Sequence, residues 1–175
     1  MELIIQDTKL VDCIEYQEAP QTKIYNEGTN YSVETLKGLV ELMMERYGYL
    51  KKYNYKNVEE CNRKDKPNYI FYVLEELASF NPKEDKEFYK YLAELLAKGR
   101  AAGITCIITT QAPYSAILPG VLKNNINTIL GLKTRTGEAS KVISGDYDLL
   151  TGLRGKGHGY LINATGEHEV QVFNI

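Results

Sequence analysis

Two short segments, Tyr69-Ile70-Phe71-Tyr72-Val73-Leu74 and Ile104-Thr105-Cys106-Ile107-Ile108-Thr109-Thr110, constrain this chain more than any other feature. Both are rich in β-branched and aromatic side chains and show no clean polar alternation, which is the pattern of strands buried on both faces. Between them Phe88, Leu92, Leu95, Gly99 and Ala102 recur at spacings of 4, 3, 4 and 3, the stripe of one helix face. That helix carries its own punctuation. Asn81 reads as its N-cap, Pro82 as its first residue and Glu84 as the capping-box partner, with Gly103 to stop it. Strand, helix and strand in that order predict a parallel pair joined by a crossover, and so an α/β fold.

The rest of the chain extends the pattern. Leu3-Ile4-Ile5 predicts a strand, and residues 15–30 read as loop, punctuated by Pro20 and Gly28. Val33, Leu36, Val40, Met43, Tyr47 and Leu50 form a second helical stripe, with Ser32 as candidate N-cap. Residues 51–67 mix Lys51, Lys52, Lys56, Arg63, Lys64 and Lys66 with Tyr53 and Tyr55. They read either as a solvated loop or as a basic, aromatic surface able to grip nucleic acid. A short helix over 119–125, a strand near 127–133, a helix near 136–144 and a glycine-rich loop over 145–157 follow. Residues 159–162 and 169–173, joined through Thr165-Gly166, predict a closing hairpin. The expectation is a single domain over 1–175, with a mainly parallel sheet, flanking helices and a C-terminal β-hairpin.

Composition limits the function classes. No apolar run approaches the roughly 18 residues of a membrane span, and the start does not read as a signal peptide. Cys13, Cys61 and Cys106 are isolated, which argues against a disulfide framework or zinc knuckle and fits a reducing, cytoplasmic setting. The net charge of -2 hides an asymmetry: residues 1–89 hold 12 Lys/Arg against 17 Asp/Glu, and residues 90–160 hold 9 against 4. A basic second half suits a phosphate or nucleic-acid surface, though charges also segregate without a partner. His158 and His168 are too few for a histidine metal site. Glu167 and Glu169 flank His168, but strand alternation turns them to the opposite face.

Ligands of open parallel sheets bind outside the carboxyl ends of the strands. One such end is Glu75-Glu76, where adjacent carboxylates either mark the turn into solvent or serve chemistry. In the second case one would hold magnesium and the other would orient a water for attack on a phosphoryl group. The other end is Thr109-Thr110-Gln111-Ala112-Pro113, either a strand exit or a hydroxyl and amide that sense a terminal phosphate. Lys98-Gly99-Arg100 sits at a helix end, where cations complement the dipole. Arg100 could alternatively stabilise charge on a neighbouring subunit's nucleotide.

Taken in order, these segments resemble the second half of an FtsK/SpoIIIE-family DNA-translocating ATPase motor. Asp7-Thr8-Lys9-Leu10-Val11-Asp12 resembles that family's D-P-K-x-x-E stretch, and Glu41-Leu42-Met43-Met44-Glu45-Arg46-Tyr47 its E-M-x-x-R-Y helix. Leu74-Glu75-Glu76-Leu77-Ala78 stands where the family has its Walker B segment. Arg100-Ala101-Ala102-Gly103-Ile104 matches R-A-A-G-I, and Thr110-Gln111-Ala112-Pro113 matches T-Q-R-P. Leu122-Lys123-Asn124-Asn125-Ile126 and residues 138–150 resemble the downstream core.

The resemblance implies a RecA-like P-loop NTPase core, a hexameric ring around double-stranded DNA, and MgATP hydrolysis at subunit interfaces. By position it implies Glu76 as the water-activating carboxylate, Glu75 as the magnesium- and nucleotide-side one, and Gln111 with Thr110 as sensor. It leaves Arg100 as the candidate acting across the interface, Lys123 and Asn125 in a shared motif without an assigned role, and the DNA-binding residues unknown. Three departures matter. No G-x-x-x-x-G-K-[ST] occurs in these residues, Glu75 replaces the usual aspartate, and Ala112 replaces the arginine of T-Q-R-P. The expectation is therefore a motor piece, N-terminally truncated, that binds neither ATP nor magnesium tightly and does not hydrolyse ATP alone. The parent would serve chromosome segregation or conjugative transfer and could be membrane-anchored. The alternatives are a non-catalytic module docking on an intact motor, or part of a protein-secretion ATPase. Absence of the P-loop strand further predicts an open sheet edge that must be closed, swapped or paired.

Overall fold

The computed structural model describes residues 1–9, 11–16, 18–20, 22–25 and 28–173. Leu10 of the Asp7–Asp12 stretch lies outside them, as do Gln17, Gln21, Asn26 and Glu27 of the segment read as loop. The chain divides into two compact units, Met1–Gln111 and Ala112–Ile175.

The first unit runs β1 (Glu2–Gln6), β2 (Thr22–Tyr25), α1 (Gly28–Tyr53), β3 (Ile70–Leu74), α2 (Lys86–Lys98) and β4 (Ile104–Ile108). Its four strands are all parallel in the order β2-β1-β3-β4. The register sets Ile4 beside Tyr72 and Tyr72 beside Cys106, so one face of the sheet carries Ile4, Ile70, Tyr72, Leu74 and Ile104, all buried. The helical stripes pack as their spacing predicts. Leu36, Met43 and Leu50 of α1 and Phe88, Leu92 and Leu95 of α2 are buried, and Phe88 stacks on Phe80 at 3.8 Å between ring centres. Arg46 of α1 donates to the carbonyls of Ala102 and Asn68, and Tyr47 to that of Lys98. The Arg-Tyr pair thus satisfies carbonyls orphaned at the end of α2 and its following turn.

Four expectations need correction. A strand, β2, occupies part of the segment read as loop, because its four residues are held by parallel pairing to β1 and not by a periodicity of their own. Helix α1 starts at Gly28, so Ser32 is a fully buried residue inside it and not its N-cap. Asn81 makes cap-like bonds, accepting from the Lys83 amide and donating to Glu84, yet they close a turn, and α2 begins only at Lys86. Burial on both faces holds on one face alone. Phe71 and Val73 are half-buried, Thr105 is exposed and Ile107 is 45% exposed. Among the described residues β4 is hydrogen-bonded only to β3, so the sheet ends there with an open edge.

Cys106 lies on the buried face, and burial pushes its thiol up to about 12 from 9.0. Only the thiolate is nucleophilic. At pH 8 its fraction falls by about three powers of ten, so alkylation of Cys106 by iodoacetamide is expected to run about a thousandfold slower in the folded chain than after unfolding. Mass-spectrometric rates for the peptide containing Cys106 check this; equal rates would contradict its burial.

The second unit runs α3 (Gly120–Lys123), β5 (Thr128–Leu132), α4 (Gly137–Ser144), β6 (His158–Asn163) and β7 (Gly166–Gln171). Its three strands are antiparallel in the order β5-β6-β7, with the expected hairpin between β6 and β7. Leu122, Leu150 and Leu153 are buried, and the buried Ser140 donates to the Asp146 carbonyl while accepting from the Leu150 amide. At the start of β6, His158 accepts the Arg154 amide at Nδ1, so Nε2 carries the proton and donates to Glu169 at 2.5 Å. No helix among the described residues is long and apolar enough to cross a membrane.

Candidate active site

Parallel register brings three carboxyl ends together. Gln6 of β1 pairs with Leu74 of β3, and Leu74 with Ile108 of β4. The chain therefore leaves these strands side by side as Asp7-Thr8-Lys9, Glu75-Glu76 and Thr109-Thr110-Gln111. The Glu75 amide donates to the Gln6 carbonyl, and the Thr109 hydroxyl to the Glu75 carbonyl, which ties the three exits to one another.

Glu76 is 8% exposed, and both of its oxygens are engaged. Oε1 accepts from the Thr110 hydroxyl at 2.6 Å and the Ala78 amide at 3.0 Å; Oε2 accepts from the Gln111 amide at 2.9 Å. This is a carboxylate held in one orientation by charge-assisted bonds from two segments. The structure thus brings Glu76 together with Thr110 and Gln111, three of the residues singled out in the sequence. Gln111 enters through its main chain, and its side chain is exposed.

Glu75 points the other way, into the β1 exit. Its Oε1 accepts from the Lys9 ammonium at 2.8 Å and its Oε2 from the Thr8 hydroxyl at 3.0 Å, which in turn accepts from Ser79. Lys9 also reaches Asp12 at 2.9 Å, and Asp7, 1% exposed, accepts the amides of Lys9 and Cys13. The bonds from Glu75 and Asp12 hold Lys9 well above its ordinary value, and the bond from Lys9 holds Asp12 below its own. Magnesium at Glu75, the expectation for the metal side, does not fit these donors. The metal-side carboxylate already has a cation on one oxygen and a hydroxyl on the other. Among the described residues no group of three or more metal-binding side chains converges.

Arg100 is not brought to this cluster. It is exposed in the turn Gly99–Ala102 that precedes β4, and the five residues of β4 put about 16 Å between it and Thr109. Lys123 and Asn125 lie in the second unit, where Asn125 donates to the Val121 carbonyl at the end of α3. Sequence pattern assigns no role to Thr8 or Lys9. The carboxyl-end rule, applied to β1 as well as to β3 and β4, is the signal that points to them.

Curated relatives match most of this chain. It is 29% identical over 161 residues to the DNA translocase FtsK of Corynebacterium efficiens, covering 82% of this chain, and 27% identical over 165 residues to that of Helicobacter pylori, covering 90%. This chain is a homologue of the FtsK DNA translocases. It spans 17% and 19% of the length of those two FtsK proteins. No protein-family model matches it. Solved structures agree on the fold. The conjugation coupling protein TcpA of pCW3, solved with ATPγS, superposes with a TM-score of 0.86 at 21% identity, covering 98% of this chain and 52% of TcpA. The second and third ATPases of EssC from Geobacillus thermodenitrificans superpose at 0.85 and 17% identity, covering 99% and 33%. The chain thus shares its α/β fold with these solved structures, its antiparallel sheet following the parallel one in sequence.

Proposed function

We propose that the chain is part of an ATP-driven, DNA-translocating motor of the FtsK type, contributing the hydrolytic half of a nucleotide site to a ring of motor subunits. The observation that supports this reading is the caged Glu76 carboxylate, fixed against Thr110 and Gln111 in a chain homologous to FtsK. In that role Glu76 orients the attacking water, and Thr110-Gln111 couples its position to the end of β4. Arg100, remote from its own Glu76, acts across a subunit boundary on the neighbour's nucleotide. No residue among these 175 supplies the lysine of a phosphate-cradling loop, so this half-site does not turn over ATP unaided.

Duplex DNA binds through the second unit. Lys133, Arg135, Arg154 and Lys156 are exposed there, the Lys133 side chain lies against Gly155, and none of the four pairs with a carboxylate among the described residues. The pure chain is expected to show no DNA-stimulated MgATP hydrolysis above blank, yet to bind duplex DNA at low salt by fluorescence anisotropy. Neutralising one of the four cations is expected to flatten the log K against log salt slope by about 1. Turnover that Glu76→Gln abolishes would overturn the half-site reading; absence of DNA binding at any salt would overturn the translocating one. A non-catalytic module docking on an intact motor is the second reading, favoured by the ion pair that Lys9 makes with Glu75.

A further inference from the structure

Glu75 and Asp12 converge on a single point. Glu75 Oε1 and Asp12 Oδ2 lie 2.8 Å and 2.9 Å from the same Lys9 nitrogen, and Glu75 is only 13% exposed at its side chain. Two carboxylate oxygens aimed at one position, one of them nearly buried, form the kind of arrangement that a hard divalent cation takes up with oxygen ligands. Here an ammonium group fills it. The loop that delivers the ammonium is held in place at both ends. Asp7, buried, clamps the amides of Lys9 and Cys13, and Thr8 bonds the second oxygen of Glu75.

We infer that Lys9 is a resident counter-cation of this site, occupying the position between Glu75 and Asp12 and excluding divalent metal from it. Glu75 then docks Thr8 and Lys9 onto the end of β3, a positioning role in place of a metal-binding one. Which cation the isolated chain holds does not depend on what the chain does with ATP or DNA, so the inference stands apart from the motor reading. It also separates two roles that Lys9 could have. A lysine that merely packs the loop would, when removed, loosen the segment and gain nothing. A lysine that fills a cation position leaves two convergent carboxylates behind and creates affinity for metal.

The experiment uses manganese alone, with free Mn²⁺ followed by electron paramagnetic resonance, on the full 175-residue chain. The wild type and Lys9→Arg are expected to bind no Mn²⁺ tighter than about 1 mM. Lys9→Met is expected to gain one site at least tenfold tighter, and the double variant Lys9→Met/Glu75→Gln to lose it again. Circular dichroism checks that each variant is folded. A parallel measurement needs no variant: the Lys9 ammonium ¹H–¹⁵N resonance of the wild type is expected to stay in place under millimolar Mg²⁺. Wild-type Mn²⁺ binding that Glu75→Gln abolishes, a folded Lys9→Met that binds no better than wild type, or displacement of the Lys9 resonance by Mg²⁺ would each overturn the inference.

Discussion

Glu76→Ala is expected to destabilise the first unit by about 2–5 kcal/mol, because it strands the amides of Ala78 and Gln111 and the Thr110 hydroxyl around a buried vacancy. The loss is local before it is global. Amide exchange at Ala78 and Gln111 should accelerate to the rate of open loops, well beyond the loss of protection in α2, and the urea midpoint should fall without a change in slope. Glu76→Gln is no neutral substitute. The carboxylate accepts at both oxygens, and an amide that accepts at one end must donate at the other, facing either Gln111 N–H or Ala78 N–H. It is expected to cost about 1–3 kcal/mol for the same reason. A Glu76→Ala chain with wild-type stability and exchange would mean that Glu76 does not hold these two segments together.

Gly157→Ala is the other large effect. Gly157 sits at φ +81, and an added Cβ would stand 2.3 Å from the Val172 carbonyl oxygen, whose own amide is pinned to the Gly157 carbonyl at 2.8 Å. The left-handed backbone costs roughly 1–2 kcal/mol for a side chain, and pushing aside a hydrogen-bonded main chain adds about 1–3 kcal/mol. Gly145 is the internal control. It has φ +90 but nothing within 4 Å of its added Cβ, so alanine there carries the conformational cost alone. Thermal melts should rank Gly157→Ala well below Gly145→Ala, with β6 and β7 amides losing protection in the former only. Equal melts would remove the close approach from the account.

Much of this fold is written in local pattern. The βαβ core was legible because Tyr69–Leu74, the Phe88 stripe and Ile104–Thr110 each state their element within a dozen residues. Thr22–Tyr25 does not: a four-residue strand with two polar positions is defined by its parallel neighbour, β1, and not by its own periodicity. Gly28 misleads in the same way, since a residue that usually breaks helices here opens one. Asn81 shows that a correct chemical reading can attach to the wrong object. Its side chain does cap a backbone amide, that of Lys83, but in a turn, and Asp85 then leads into α2. At the site, Glu76 with Thr110 and Gln111 followed from the rule about strand ends. Lys9 on Glu75 did not, because the contact joins residues 66 apart and exists only through the Gln6–Leu74 register.

The flank of β4 that has no strand partner among the described residues bears on how such a chain behaves as a material. Ile104–Ile108 has the make-up of an interior strand, yet it borders the sheet, with Thr105 and Ile107 turned outward. An uncharged strand paired along one side only is a template for another like itself. At high concentration, edge-to-edge pairing through these five residues, which contribute nothing to the net charge, is the expected route to association.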